Sequence, residues 1–311
     1  MDFLLSICIP TYNRSVQLKK TLDSIVEEPI FLSKKIEVIV SDNVSTDDTA
    51  DMMQDYCNKF ENIKYSRNLS NNGFMNIISV LGLARGKLCK VVNDYLVLNK
   101  GTLNRLVTLA EEHNAEDTFF FFANGFVKGK KDTQVDSFDK FIDKISYWCT
   151  FVGGFCIWKK DFDLLKDCEI NKMFPHTSLL FQMVSKKKYI IIHGVFFENQ
   201  KVEKKGGYDL FNVFAVQFLN MLSSLKDNSL ISPITFKHIK RDLFYNFLVM
   251  WYYKLLFDKD NAFSFEFKNI KKDIQTYYSY WDYIKLCVLG RMYFINDLKG
   301  KVKIFMKQNK K

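Results

Sequence analysis

In the first third of the chain, three short apolar runs stop abruptly at polar residues, and this feature restricts the fold more than any other. Residues 3–9 lead into Pro10, Thr11, Tyr12, Asn13 and Arg14; residues 36–40 lead into Ser41, Asp42 and Asn43; residues 88–92 lead into Asn93 and Asp94. Short, nearly continuous apolar runs are expected of strands covered on both faces of a parallel sheet. Between the first two, Ser15 opens a segment whose Leu18, Leu22, Ile25 and Val26 fall on one helical face, so Ser15 is the expected cap. Strand, helix and strand in this spacing form a right-handed βαβ unit with parallel strands. The polar ends then share one edge of the sheet, and ligands bind at the carboxyl edge of open α/β sheets. Asp94 is the first residue to suspect, against the plainer reading of Asn93-Asp94 as a turn.

The same alternation continues. Ser45 with Asp48 resembles a capping box for a helix over 46–60, followed by a strand at 63–66, a polar loop at 67–74 and a helix at 75–84. After Asp94 come an apolar tripeptide at 96–98, a helix opened by Thr102, a strand at 119–123, and a basic loop at 125–136. An apolar run at 147–158 is broken by Gly153 and Gly154, and a helix after His176 precedes a strand at 189–193. From about residue 207 the pattern reads as helices alone, over 208–225, 235–257 and 270–289, with wide apolar faces. Neither G-x-G-x-x-G nor a P-loop sequence occurs, so a bound nucleotide needs another device.

The formal charge of +10 favours anionic partners, and its excess lies beyond the first third of the chain. Seven cysteines without C-x-x-C spacing argue against a disulfide framework or a structural zinc site and point to a reducing, cytoplasmic setting. No basic leader precedes the first strand, and no window approaches the roughly 18 apolar residues of a spanning helix. A soluble or membrane-peripheral protein is expected.

The runs SICIPTYNR (6–14) and VSDNVSTDDT (40–49), then Arg67-Asn68, Asn72-Gly73, Asn76, Ala84-Arg85-Gly86 and Asn93-Asp94, closely resemble the family 2 glycosyltransferases of the GT-A fold in order and spacing. The resemblance is strong to about residue 110, weaker to about 195 and absent beyond. It implies a Rossmann-like, mostly parallel α/β catalytic domain over 1–206; the helical pattern that follows makes 207–311 an expected helical extension for acceptor, membrane or oligomer contacts. It further implies inverting transfer of a sugar from a nucleotide-sugar donor to a hydroxyl of a carbohydrate or lipid-linked oligosaccharide acceptor, in surface polysaccharide synthesis. By position, Pro10, Thr11, Tyr12 and Arg14 would line the nucleotide pocket, Asp42 would hydrogen-bond the base, and Asn72 and Gly73 would lie near the nucleotide or sugar.

The chain departs from that family at two places. Where an acidic cluster is usual, only Asp94 remains, beside the neutral Asn93. Mg²⁺ or Mn²⁺ held through Asp94 is one expectation; the other is that basic side chains neutralise the leaving diphosphate. Where the family carries an acidic pair before a helix, this chain has His176, which makes His176 the expected catalytic base, with Asp163 and Glu169 as alternatives. Two other functions compete: a nucleotidyltransferase, which would carry a glycine-rich basic signature near the first strand, and a basic membrane- or nucleic-acid-binding scaffold. No basic stripe interleaved with aromatics supports nucleic acid. The lysines at 299, 301, 303, 307, 310 and 311 around Val302, Ile304, Phe305 and Met306 suit an anionic membrane surface.

Overall fold

The computed structural model describes residues 3–113, 115, 117–165, 168–202, 206–258 and 263–308, and from residue 296 onward the backbone alone. The chain divides into two compact units, Met1–Val202 and Glu203–Lys311.

In the first unit, β1 (Leu5–Thr11) lies between β2 (Ile36–Asp42) and β4 (Leu88–Val91), parallel to both. Beyond β2 lies β3 (Ile63–Arg67), also parallel, and beyond β4 lies the antiparallel β8 (Cys156–Trp158). Every residue of β2 and β4 is buried, which is why these strands carry no polar alternation. Leu5, Ile7, Ile9, Val38 and Val40 form one core with Leu18, Leu22 and Ile25 of α1 (Ser15–Val26) and Leu103, Leu106 and Leu109 of α4 (Thr102–Glu112). Each such side chain contributes about 1.5–3 kcal/mol by leaving water. Two further helices, α2 (Thr49–Lys59) and α3 (Asn76–Leu83), complete the alternation.

Two smaller sheets follow. The tripeptide after Asp94 is β5 (Leu96–Leu98), paired antiparallel with β10 (Phe197–Asn199). The buried strand β6 (Thr118–Phe122) runs parallel to β9 (Lys188–Ile192), and β7 (Thr133–Val135) pairs antiparallel with β9. Helices α5 (Phe138–Ile145), α6 (Lys159–Leu164) and α7 (Pro175–Phe181) connect these strands.

Helix starts depart from the expected caps. Helix α2 begins at Thr49 rather than 46, because the Ser45 hydroxyl donates to Asp42 instead of capping it. Asp47 takes over at both helices: its Oδ1 accepts from the Thr49 hydroxyl (2.6 Å) and its Oδ2 from the Ser15 backbone N–H (2.9 Å). Ser15 therefore receives a cap rather than supplying one.

In the second unit, the expectation of helices alone is corrected. Tyr208 lies in β11 (Gly206–Asp209), parallel to β12 (Ser264–Glu266). A Cβ on Gly206, whose φ is +150°, would sit 2.6 Å from the Phe265 nitrogen, so glycine permits this close pairing. A π-helical stretch at 212–218 leads into α8 (Leu219–Asp227), and another at 244–248 joins α9 (Pro233–Leu243) to α10 (Val249–Leu256). The third expected helix is two, α11 (Ile270–Gln275) and α12 (Tyr280–Gln308). Before α12, Ser279 and Asp282 exchange backbone-to-side-chain hydrogen bonds of 2.9 and 3.1 Å in a reciprocal cap, which explains the break. No helix among the described residues is long and apolar enough to cross a membrane.

Candidate active site

Strand register assembles the site. Thr11 ends β1 opposite Asp42, and Asp42 lies opposite Arg67 of β3, so the carboxyl edge presents these three side by side. The turns that follow are stitched together: the Asn13 N–H donates to the Ser45 hydroxyl (2.8 Å), and Asn13 Oδ1 accepts from the Thr46 N–H (2.7 Å). Asn13 and the β-branched Val44 both take left-handed backbone angles, φ +50° and +66°. For Val44 this is strain stored beside the site, of the order of 1–3 kcal/mol.

Asp94 is buried at the centre of the edge. Its Oδ2 accepts from the Thr11 hydroxyl (2.8 Å) and its Oδ1 from Arg14 Nη1 (3.0 Å), and Arg14 also lies over the Tyr95 ring. Burial raises the Asp94 pKa above the ordinary carboxylate value, and Arg14 opposes that shift. The Thr21 hydroxyl donates to the Asp94 carbonyl, so α1 fixes the backbone here. Asn93 is half-buried, with its Nδ2 donating to the Tyr95 hydroxyl (3.0 Å).

Asp42 is wholly buried and saturated. Its Oδ1 accepts from the Ser45 N–H (2.9 Å) and hydroxyl; its Oδ2 accepts from the Tyr65 hydroxyl (2.7 Å) and Arg67 Nη1 (3.2 Å). Burial, and then the bond to Asp42, push the Tyr65 phenol up to about 12. Both carboxylate oxygens of Asp42, expected to meet a nucleotide base, thus have partners within the protein, and Tyr65 and Arg67 are the side chains that cover Oδ2.

Asn72 and Gly73 belong to the same constellation. Asn43 Nδ2 donates to the Gly73 carbonyl (2.9 Å), and Asn43 Oδ1 accepts from the Asn72 N–H (3.2 Å) and from Asn68 Nδ2 (2.9 Å). Behind them, buried Asn76 donates to the Ser41 carbonyl (2.7 Å) and accepts from the Ser41 hydroxyl (2.6 Å), locking the end of β2. Tyr12 is 43% exposed, next to the part-buried Pro10.

The three base candidates occupy three different settings. His176 is buried in α7, edge-on to Phe155, and its Nε2 lies 3.0 Å from the Thr150 carbonyl, which makes Nε2 the protonated nitrogen. Its Nδ1 is buried without a hydrogen-bond partner, and burial pulls the pKa down to about 4. Burial thus favours the neutral ring and leaves the Nδ1 lone pair enclosed within the protein. Asp163 lies on α6, 3.0 Å from Lys159, and Glu169 is exposed in the following loop.

One group went unread in the sequence. Lys90 lies within the apolar run of β4 and is completely buried. Its Nζ donates to the carbonyls of Gly153 (2.6 Å) and Phe155 (2.9 Å), with the Phe122 and Phe197 rings 4.9 and 5.0 Å away. The glycine pair is thereby fixed from beneath, and a Cβ on Gly153 would stand 3.1 Å from Leu96.

Both oxygens of Asp94 are engaged by a hydroxyl and a guanidinium, and the described residues hold no cluster of three or more metal-ligating His, Cys, Asp or Glu side chains. Arg14 puts a fixed positive charge beside the carboxylate instead.

A family model described as glycosyl transferase family 2 matches residues 6–189. An abequosyltransferase, RfbV, of Salmonella typhimurium is 38% identical over 107 residues, covering 34% of this chain and 32% of that protein. A GalNAc(5)-diNAcBac-PP-undecaprenol β-1,3-glucosyltransferase of Campylobacter jejuni is 29% identical over 203 residues, covering 62% and 63%. The chain thus spans less than two thirds of either relative. The crystal structure of S. aureus TarS 1-349 in complex with UDP shares the fold at a TM-score of 0.56 and 17% identity, over 96% of this chain and 92% of that one. Matched over more than half its length, and with the polar strand ends gathered on one sheet edge, the chain belongs to glycosyl transferase family 2.

Proposed function

We propose that this protein transfers a sugar, with inversion, from a nucleotide-sugar donor to a hydroxyl of a carbohydrate or lipid-linked oligosaccharide acceptor in surface polysaccharide synthesis. The observation that carries this reading is the convergence of Thr11, Arg14 and Asp94 with the Asp42–Tyr65–Arg67 group on the carboxyl edge of a family 2 sheet. The base of the donor lies against Tyr65 and Arg67, oriented by Asp42, while Asn72, Gly73, Asn93 and the exposed Tyr12 border the ribose and sugar. Arg14 stands where negative charge develops on the leaving diphosphate and stabilises it electrostatically. The UDP of the staphylococcal complex favours a uridine donor. The undecaprenol-linked acceptor named for the Campylobacter relative favours a lipid-linked one, which would bring this protein to the inner face of the cell membrane.

The test is a panel of sugar nucleotides incubated with the protein and read by mass spectrometry for hydrolysis, beside thermal shifts with the free nucleoside diphosphates. One donor should be hydrolysed and its diphosphate should raise the melting temperature. No hydrolysis and no shift across the panel would overturn the proposal.

A further inference from the structure

Helix α12 is apolar on two sides. One side is packed: Leu286 is fully buried, and Gly290 lies so close to Tyr252 of α10 that a Cβ would meet its ring at 2.5 Å. On the other, Trp281, Val288, Met292 and Ile295 recur at steps of seven, four and three residues, a spacing that lines them up on one helical face. They are 76%, 48%, 51% and 49% exposed. Exposed Lys285 and Arg291 flank this stripe on its two edges, and Lys285 Nζ is 2.9 Å from the Tyr245 hydroxyl. Large apolar side chains aligned in water, with tryptophan most exposed, mark a surface that is covered in use.

Charge identifies what covers it. From Tyr280 to the end the sequence holds eight Lys and Arg against two Asp, which accounts for six of the ten net positive charges of the whole chain. Two such helices laid stripe to stripe would repel one another, so a second copy of the chain is a poor occupant. Nucleic acid would satisfy the lysines but leave the apolar stripe uncovered. An anionic bilayer satisfies both, taking tryptophan and aliphatic side chains into the acyl boundary and cations among the headgroups. We infer that the Trp281–Ile295 face of α12 docks in the plane of an anionic lipid surface. The inference goes beyond the transfer reaction and does not depend on it; combined with that reading, it brings the enzyme to the surface in which a lipid-linked acceptor resides.

The experiment is flotation of the full chain with phosphatidylcholine vesicles and with equimolar phosphatidylcholine–phosphatidylglycerol vesicles. The protein should float with the anionic vesicles at low salt and much less with the neutral ones. Trp281→Ser combined with Met292→Ser should cut the bound fraction about tenfold or more, since each loses a buried apolar anchor. Lys285→Glu with Arg291→Glu should abolish the preference for anionic lipid. All four sites are exposed, so folding is checked by circular dichroism, and the nucleotide-induced thermal shift is measured on the same samples to keep the donor-site reading separate. The proposal is overturned if the full chain stays in the soluble fraction, or if the Ser variant floats as well as the parent. It is also overturned if light scattering finds a dimer that the Ser variant dissolves.

Discussion

Arg14 Nη1 donates a 3.0 Å hydrogen bond to Oδ1 of Asp94 across 80 residues of sequence, so a guanidinium lies against the carboxylate that the family resemblance makes a metal ligand. On the proposed reading, Arg14 answers for the charge of a diphosphate. A charge-assisted hydrogen bond contributes about 1.5–3 kcal/mol, so Arg14→Ala should weaken nucleoside diphosphate binding about ten- to hundredfold in calorimetry. Excess chelator should leave the affinity of the unaltered protein unchanged. If affinity instead collapses in chelator and returns with Mn²⁺, Asp94 is a metal ligand and the ion pair opens on binding.

Asp42, which the family resemblance makes a contact to the base, also has a place in the fold. Four donors converge on its buried carboxylate. Asp42→Asn turns one acceptor into a donor against Tyr65 and Arg67, and should cost about 1–3 kcal/mol of stability in urea unfolding, along with nucleotide affinity. A variant as stable as the parent would return Asp42 to a purely ligand-facing role.

The strained turn predicts an opposite sign. Val44→Gly relieves a left-handed angle that a β-branched residue adopts at a cost, while it loosens the unfolded chain by up to about 1 kcal/mol. Stability should therefore stay level or rise, whereas nucleotide binding should weaken as the Asp42–Ser45 turn loses definition. A clear loss of stability would show that Val44 contributes more by packing than it costs in strain.

The parallel sheet was legible because buried strands are largely apolar and end where the ligand edge begins; runs 3–9, 36–40 and 88–92 follow this, with Ser6, Glu37 and Lys90 as buried polar exceptions. The role of Asp47 at the start of α1 was not, since a carboxylate that caps a helix from 32 residues away leaves no local signal there. Lys90 did leave one, a single cation in an otherwise apolar run, but its purpose appears only when Gly153 and Phe155 come into place. In the second unit, aromatic-rich helices hid β11 and β12, because a short strand pairing defined by Gly206 has no periodicity of its own. His176 was found by position in the family pattern, and position says nothing of which way a ring faces.

For His176, burial sets the direction of the pH dependence. The folded-state pKa is about 4 against an ordinary 6.5, so below pH 6.5 the unfolded chain gains a proton that the folded one refuses. The stability this neutral ring brings is complete above 6.5 and is lost as pH falls through 4. Urea unfolding at pH 7 and pH 5 should show a smaller loss in His176→Gln than in the parent, and the variant should keep near-normal transfer. Equal pH slopes would remove the linkage, and loss of transfer in a folded variant would restore His176 as the base.

Lys90 works through the same linkage at the other end of the scale. Burial pushes its pKa down from 10.5 to about 7, with nearby Cys156 raising it slightly; the groups it meets are the carbonyls of Val91, Gly153 and Phe155 and the rings of Phe122 and Phe197. Between pH 7 and 10.5 the unfolded chain therefore binds more protons than the folded one at this site, and the Lys90 contribution to stability must rise with pH across that window, falling away as pH drops through 7. Lys90→Met removes the titration and leaves the Gly153 and Phe155 carbonyls without this donor, at a cost of about 1–3 kcal/mol. Measured at pH 7 and pH 9, the stability gap between parent and variant should widen towards the higher pH. A gap that narrows would mean that the amine stays charged in the core, held by its carbonyls and the two aromatic faces rather than neutralised by burial.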